Sequence, residues 1–459
     1  MCPMITTTGG RFVICGCGVA FFAIGQKWKT PCVGGWCSAM NIPHIYLFGH
    51  LCHYGRIMFS GLFKKKSKRI YLDFAAATPV HPDVFRAMEP YFTEEYGNPS
   101  AIHQEGVRAR NVVEGARADT ARTLRVRAGD VTFTSGGTEA NNLAILGTVD
   151  ALHSGGLAHD HMEVVSTRIE HPSIIETMRV LADRGVRVVY VPVDEDGRIL
   201  QKDFEEVLSK KTVLVVVSYV NSEIGVVQDI KKISRTVRKF NEEHEVHIRT
   251  LVDAAQAPLW LPCQVDALGV DLLTLDSGKC YGPKGVGVLV HRGEGSLSPQ
   301  TFGGSQESGL RAGTENVSLI VGCAAALKRA QEGVEVRVEN VQKVRDAMLA
   351  YIEREIPDAV VNGSQEHRVA NNLNISLPGL DSEFAVIVLD THGVATSTRS
   401  ACSGADGSGS YVVREIADEA RATSTVRFTL GEETTQADVR HAVDILKEHV
   451  QAMKKFQAK

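Results

Sequence analysis

Four short segments carry residue types that could do chemistry, and three of them follow an apolar run. Lys279 lies in Asp276-Ser-Gly-Lys-Cys-Tyr-Gly-Pro-Lys-Gly. A lysine in a tight turn at a strand end is desolvated, which lowers its pKa and makes the amine a good Schiff-base former. Lys284 is the rival, but Pro283 and Gly285 set it in a loop where exposure is expected, so Lys279 is preferred. Asp253 stands directly after an apolar run in Val252-Asp-Ala-Ala-Gln. A lone Asp there commonly caps a turn, but it also suits a pyridinium nitrogen, whose protonation turns the ring into an electron sink. Thr134-Ser-Gly-Gly-Thr-Glu-Ala-Asn-Asn opens a helix, so Gly137 and Thr138 could offer free N–H groups to a phosphate. The same string also reads as a plain capped helix start, and it lacks the Gly-Lys-Ser/Thr ending of a Walker loop. Cys402 heads the Gly/Ser-rich run from Ser400 to Ser410, a poor core environment in which an exposed thiol can act as a nucleophile. An amine, a carboxylate for a ring nitrogen and a phosphate cradle together point to pyridoxal 5'-phosphate (PLP).

Such groups need strand ends to hold them. Short β-branched runs are expected as strands at Val131–Thr134, Glu163–Ser166, Val186–Val191, Val213–Tyr219, Ile248–Val252, Leu272–Leu275 and Val286–Val290. Helical periodicity marks Asp83–Tyr96, Glu105–Leu124, Thr138–Val149, Pro172–Arg184 and Asp229–Glu243. This alternation predicts an α/β fold with a mainly parallel sheet covered on both faces, whose sites lie at the C-terminal strand ends. One long helical stretch, Val317 to about Ile356, bridges into a smaller α+β unit with strands Asn372–Leu377 and Ser424–Leu430 and helices Ser382–Asp390 and Gln436–Lys454.

The chain has 459 residues, 44% hydrophobic and 23% charged, enough for two domains with a real core. A net charge of −4 points to neither nucleic acid nor an anionic membrane as the main partner. No unbroken apolar run is long enough to span a membrane. Six of the ten cysteines precede residue 58, so the long body is cysteine-poor, as in a reduced, cytoplasmic setting. Residues 1–57 show no clear period and are expected to be an extension outside the enzyme; the apolar run Phe12–Gly25 is short and has only Arg11 as a basic residue before it. Metal chemistry is disfavoured, because the body lacks CxxC or HxxxH spacing.

From Tyr71 to about Ala452 the chain resembles the NifS/IscS-like cysteine desulfurases of the class V aminotransferase superfamily. The matches run in order: Tyr71-Leu-Asp-Phe-Ala-Ala-Ala-Thr-Pro, Tyr96-Gly-Asn-Pro-Ser, Thr134-Ser-Gly-Gly-Thr-Glu, Glu170-His171, Val252-Asp253 with Gln256, Lys279-Cys-Tyr-Gly-Pro-Lys-Gly, Gly309-Leu-Arg-Ala-Gly-Thr, Ser400-Ala-Cys402 and Val426-Arg427-Phe-Thr-Leu. The resemblance implies the fold type I of PLP-dependent transferases, with a mainly parallel seven-stranded sheet. It implies a segment 58–80 joining the small domain, a large PLP-binding domain over 81–325 and a small domain over 326–459. Lys279, Cys402 and His171 are then the catalytic residues. Gly137, Thr138, His171, Asp253, Gln256, Ser277, Lys279 and Thr314 hold the cofactor, and Thr314 reaches it from the other subunit of a homodimer. Asn98, Ser222 and Arg427 meet L-cysteine, and Arg427 grips its carboxylate. The persulfide on Cys402 would pass to a sulfur acceptor such as an iron–sulfur scaffold or a tRNA-thiolation protein.

Three positions depart from the family pattern. Ser222 stands for an Asn, Gly278 for a His and Asp276 for a Ser. The family's His and Ser would both help hold the phosphate, and an Asp beside a phosphate would repel it. Alternatives within the same fold are a class V aminotransferase and a selenocysteine lyase; from another class, a sulfur-transfer scaffold with weakened catalysis.

Overall fold

In the stretch Thr212–Ser218, alternate residues enter two different cores. Leu214 and Val216 pack in one cluster, Val215 and Val217 in the other, as period-two side chains on a sheet buried on both faces must. This is the centre of a computed structural model that describes residues 4–7, 10–15, 19–23, 69–293, 296–398 and 409–457. Seven strands form the main sheet: β1 (Val131–Thr134), β2 (Glu163–Thr167), β3 (Arg187–Val191), β4 (Thr212–Ser218), β5 (Arg249–Asp253), β6 (Leu272–Asp276) and β7 (Gly287–His291). Their order is β1-β7-β6-β5-β4-β2-β3. β7 runs antiparallel to both neighbours, and the other pairings are parallel. Ser218 on β4 and Thr274 on β6 both pair with Asp253 on β5, so three strands end level with one another. Their C-terminal ends are where the site is built.

The helices Gly137–Ser154 and Pro172–Asp183 cover one face. Three-stranded pairing of Val360–Val361, Asn372–Ser376 and Thr425–Thr429 makes a second, antiparallel sheet, which shares a core with the helices Val334–Glu355 and Gln436–Gln457. Ile70–Tyr71 joins Val394–Ala395 in parallel, and Asp73 bridges to Thr429. Arg427 is carried into the molecule by the strand Thr425–Thr429, where it is 1% exposed.

Two expected helices are each broken in two. Asp83–Tyr96 becomes Pro82–Met88 and Pro90–Thr93, because Pro90 has no N–H to continue the ladder. Val317–Ile356 becomes Val317–Gln331 and Val334–Glu355, with Gly333 between them at φ 76°, a left-handed turn that glycine takes without a Cβ clash. Residues Met1–Lys66 form a separate unit with strands Met4–Thr7, Gly10–Cys15 and Val19–Ala23 in an antiparallel sheet, although no strand period is legible there.

A buried ion pair ties β1 to a distant loop. Arg117 Nη1 and Nη2 donate to Glu307 at 2.6 and 2.9 Å, and the Phe133 N–H donates to the same carboxylate at 2.9 Å. Arg117→Met leaves a buried carboxylate with one donor. We expect it to destabilise the protein by about 3–5 kcal/mol in denaturant unfolding, largely recovered in the double variant with Glu307→Leu. A single-variant loss below about 1 kcal/mol would mean that solvent reaches the pair.

Candidate active site

One cavity at the ends of β4, β5 and β6 is lined by Gly137, Thr138, Asn141, His171, Ser173, Ser222, Asp253, Gln256, Asp276, Lys279 and Arg427, with Ala75 and Ala76. These residues come from positions as far apart as 75 and 427 in the chain. Most of the expected site residues meet here.

Lys279 sits in a turn clamped by Thr78, whose N–H and hydroxyl both donate to the Gly278 carbonyl, at 2.9 and 3.1 Å. Its amine donates to the carbonyls of Ala75 and Ala76. Lys284 is different: it is exposed, and its amine donates to Thr78 O at 3.0 Å. The geometry therefore separates the two lysines: Lys279 lines the cavity and Lys284 does not. Gln256 Nε2 also donates to the Ala75 carbonyl, at 2.9 Å, beside the lysine.

Asp253 is 7% exposed. Its Oδ2 accepts from Asn141 Nδ2 and its Oδ1 from the Ala255 N–H, each at 2.9 Å, which helps offset the cost of burying a carboxylate. Asn141 is oriented in turn by Thr274, whose hydroxyl donates to its Oδ1 at 2.6 Å. Asn141 also donates to Ser173 Oγ at 2.9 Å, and Ser173 Oγ lies 2.8 Å from His171 Nδ1. A single relay thus connects β6, the carboxylate and the imidazole. His171 caps the helix Pro172–Asp183, its Nδ1 accepting the Ser173 N–H at 3.2 Å. That bond places the proton of the neutral ring on Nε2. Burial pushes His171 below its ordinary value against the opposing pull of Asp253, which favours the neutral ring. Its neighbour Glu170 is fully buried. Burial pushes that carboxyl up to about 7, although Ser218 and Thr167 donate to it.

Arg427 Nη2 pairs with Asp73 and Nη1 donates to Ser222 O, each at 2.8 Å, while its Nε is buried without a partner. A guanidinium held in this way presents a charge suited to a small carboxylate.

Asp276 takes an unexpected place. Its Oδ2 accepts the Gly137 N–H at 3.2 Å and its Oδ1 the Gly278 N–H at 2.8 Å. The helix Gly137–Ser154 has no cap from its own N-cap residue, Gly136, so a carboxylate from β6 serves its first turn instead.

Three expected contacts lie elsewhere. Ser277 does not line the cavity; it is 2% exposed, and a Cβ on Gly282 would fall 2.1 Å from its Oγ, so its hydroxyl is turned into the core. Asn98 is exposed, its Oδ1 accepting the Ser100 N–H at 2.9 Å, and Thr314 is exposed as well; neither lines this cavity. Cys402 lies outside the described residues. Both flanks of its segment do reach the site: Ser397 bridges to Arg427, and Tyr411 donates its hydroxyl to the Glu170 carbonyl. The thiols of Cys263, Cys280 and Cys323 are buried. Burial pushes Cys263 and Cys323 up to about 12 and Cys280 well above its ordinary value. Cys280, next to Lys279 in the chain, is thus a core residue.

Sequence reasoning missed Asn141, Ser173 and Asp73. Asn141 had a signal: it falls four residues after Gly137, on the same helical face. Asp73 stands within the Tyr71-Leu-Asp-Phe match, but nothing there assigns it a role, since its partner Arg427 is 354 positions away. Among the described residues no helix is long and apolar enough to cross a membrane, and no cluster of three or more His, Cys, Asp or Glu could hold a metal.

Residues 70–441 match the aminotransferase class-V family. Cysteine desulfurase IscS of Dictyoglomus turgidum is 36% identical over 388 residues, covering 84% of this chain and 96% of the relative. Cysteine desulfurase IscS of Neisseria meningitidis serogroup C is 38% identical over 385 residues, covering 83% and 92%. A solved NifS-like protein superposes with a TM-score of 0.77 at 29% identity, over 83% of this chain and 99% of the other. A structure of SspA in complex with cysteine gives 0.68 at 30%, over 80% and 100%. The mainly parallel sheet in the order found here is, with these neighbours, the fold type I of PLP-dependent enzymes. The chain belongs to the aminotransferase class-V family and, within it, to the NifS/IscS-like cysteine desulfurases.

Proposed function

We propose that this protein is a PLP-dependent cysteine desulfurase that converts L-cysteine to L-alanine and keeps the sulfur as a persulfide on Cys402. The observation that carries the reading is the convergence of Lys279, Asp253, His171 and Arg427 on one cavity. The cofactor's ring end fits the residues present: a buried carboxylate with fixed donors stands ready for a ring N–H, an amine lies nearby, and Gln256 offers an amide to a phenolic oxygen. Gly137 and Thr138 supply the helix N-terminus for its phosphate. When bound, PLP supplies an electron sink for a substrate carbon.

The chain's own residues then divide the work. Arg427 and Ser222 receive the substrate, with the guanidinium on its carboxylate. Lys279 would hold the cofactor covalently, and its freed amine would move the α-proton of the substrate. His171 would face the ring of the bound cofactor, where its Nε2 N–H could donate to the substrate sulfur. The Cys402 thiolate attacks the substrate sulfur; an S–S bond forms as the C–S bond breaks. The hydrogen lost by Cys402 is balanced by the one gained at the alanine methyl, so L-cysteine plus thiol equals L-alanine plus persulfide. No external oxidant is needed. Thr314 and Asn98, exposed in their own chain, are proposed to complete the site across the two-fold axis of a homodimer. The sulfur acceptor is proposed to be an iron–sulfur scaffold or tRNA-thiolation protein, in the cytoplasm.

The test is turnover of L-cysteine by the purified full chain with PLP and a dithiol reductant. Alanine and sulfide are expected in equal amounts. Amino transfer from alanine to a keto acid, with no alanine formed from cysteine, would sink the reading.

A further inference from the structure

The seat that a phosphate would take at the start of the helix Gly137–Ser154 is already held by a carboxylate of the same chain. Asp276 Oδ2 accepts the Gly137 N–H at 3.2 Å, and Asp276 lines the cavity together with Gly137, Thr138 and Lys279. Its other oxygen is fixed by the Gly278 N–H at 2.8 Å, so the carboxylate is aimed by two backbone donors rather than by a cation. Of the two nearby lysines, Lys279 sends its amine to the Ala75 and Ala76 carbonyls and Lys284 sends its amine to the Thr78 carbonyl. Arg427, another cation on the cavity wall, already pairs with Asp73 and serves the substrate carboxylate in the proposed function. A phosphate monoester carries a charge of about −1.5 to −2 at pH 7 and needs the same N–H groups. Two anions cannot share one helix N-terminus without a neutralising partner.

We propose that Asp276 is a built-in competitor for the phosphate of the cofactor, so that full docking of PLP requires this carboxylate to leave the Gly137 N–H. The inference rests on the proposed cofactor site and deepens it. It assigns to one residue the control of how strongly the phosphate contributes to cofactor uptake. The carboxylate caps the helix when the phosphate is away and opposes the phosphate when it arrives. The protein therefore gains less from that group than the rest of the site would allow.

Two aldehydes separate this from any general effect on the site: PLP and unphosphorylated pyridoxal. Uptake of each by the cofactor-stripped full chain is titrated through its visible absorbance, for the parent, Asp276→Asn and Asp276→Ser. Removing the charge is expected to tighten PLP by at least about tenfold. Pyridoxal, which does not reach the seat, should change by less than about twofold. If one variant does not fold, the other carries the comparison. An unchanged or weakened PLP affinity overturns the proposal, as does an equal change for both aldehydes, which would mark Asp276 as a purely structural cap. A parent and variants that take up neither aldehyde would instead overturn the cofactor reading of the cavity, and this inference with it.

Discussion

Cys402→Ser is expected to lower alanine formation from L-cysteine by at least about 10³-fold while leaving uptake of PLP unchanged. A serine hydroxyl is not ionised near neutral pH and is a poor nucleophile toward sulfur. No described thiol can take over, because Cys263, Cys280 and Cys323 are buried and held protonated. Delivery is geometrically reasonable. Cys402 follows Ser397 by five positions, a reach of at most roughly 17–18 Å, and Ser397 bridges to the cavity residue Arg427. On the far side Ser410 Oγ donates to Glu223 at 2.5 Å, and Tyr411 holds the carbonyl just before His171. The measurement is alanine produced per minute with a dithiol present, beside mass spectrometry of the parent for a sulfur added to the Cys402 peptide. Equal turnover in parent and variant would make Cys402 a bystander and move a lyase reading forward.

Lys279→Ala should abolish the covalent hold on the cofactor and lower turnover by about 10³-fold or more, since both attachment and movement of the α-proton are lost together. Lys284→Ala is the matched control and should keep the covalent link, because its amine is spent on the Thr78 carbonyl outside the cavity. Borohydride reduction of the loaded parent, followed by peptide mapping, is the direct readout. The cofactor is expected on the peptide containing Lys279. A label on Lys284 would contradict the clamp that Thr78 places on the turn.

What the sequence by itself determined is what local physics can determine. The seven strands of the main sheet fall within a residue or two of the β-branched runs, because a strand buried on both faces needs little beyond an apolar segment of the right length. Lys279 and Asp253 were legible for a related reason, whereas His171 came only from the family resemblance. Both stand where an apolar run stops, and strand ends are where parallel sheets place chemistry. Helix continuity was less legible: a long apolar period persists across Gly333 and Pro90, while the backbone turns there.

Tertiary structure alone decided how those residues are held. The Asn141–Ser173–His171 relay and the Arg427–Asp73 pair join positions far apart in the chain, and nothing near Asp73 announces its partner. The resemblance placed Ser277 among the residues that hold the cofactor, yet its hydroxyl turns into the core while Asp276, one residue earlier, faces the cavity. Which of two adjacent side chains points inward depends on how the strand end is twisted and what packs behind it. Local sequence does not encode that.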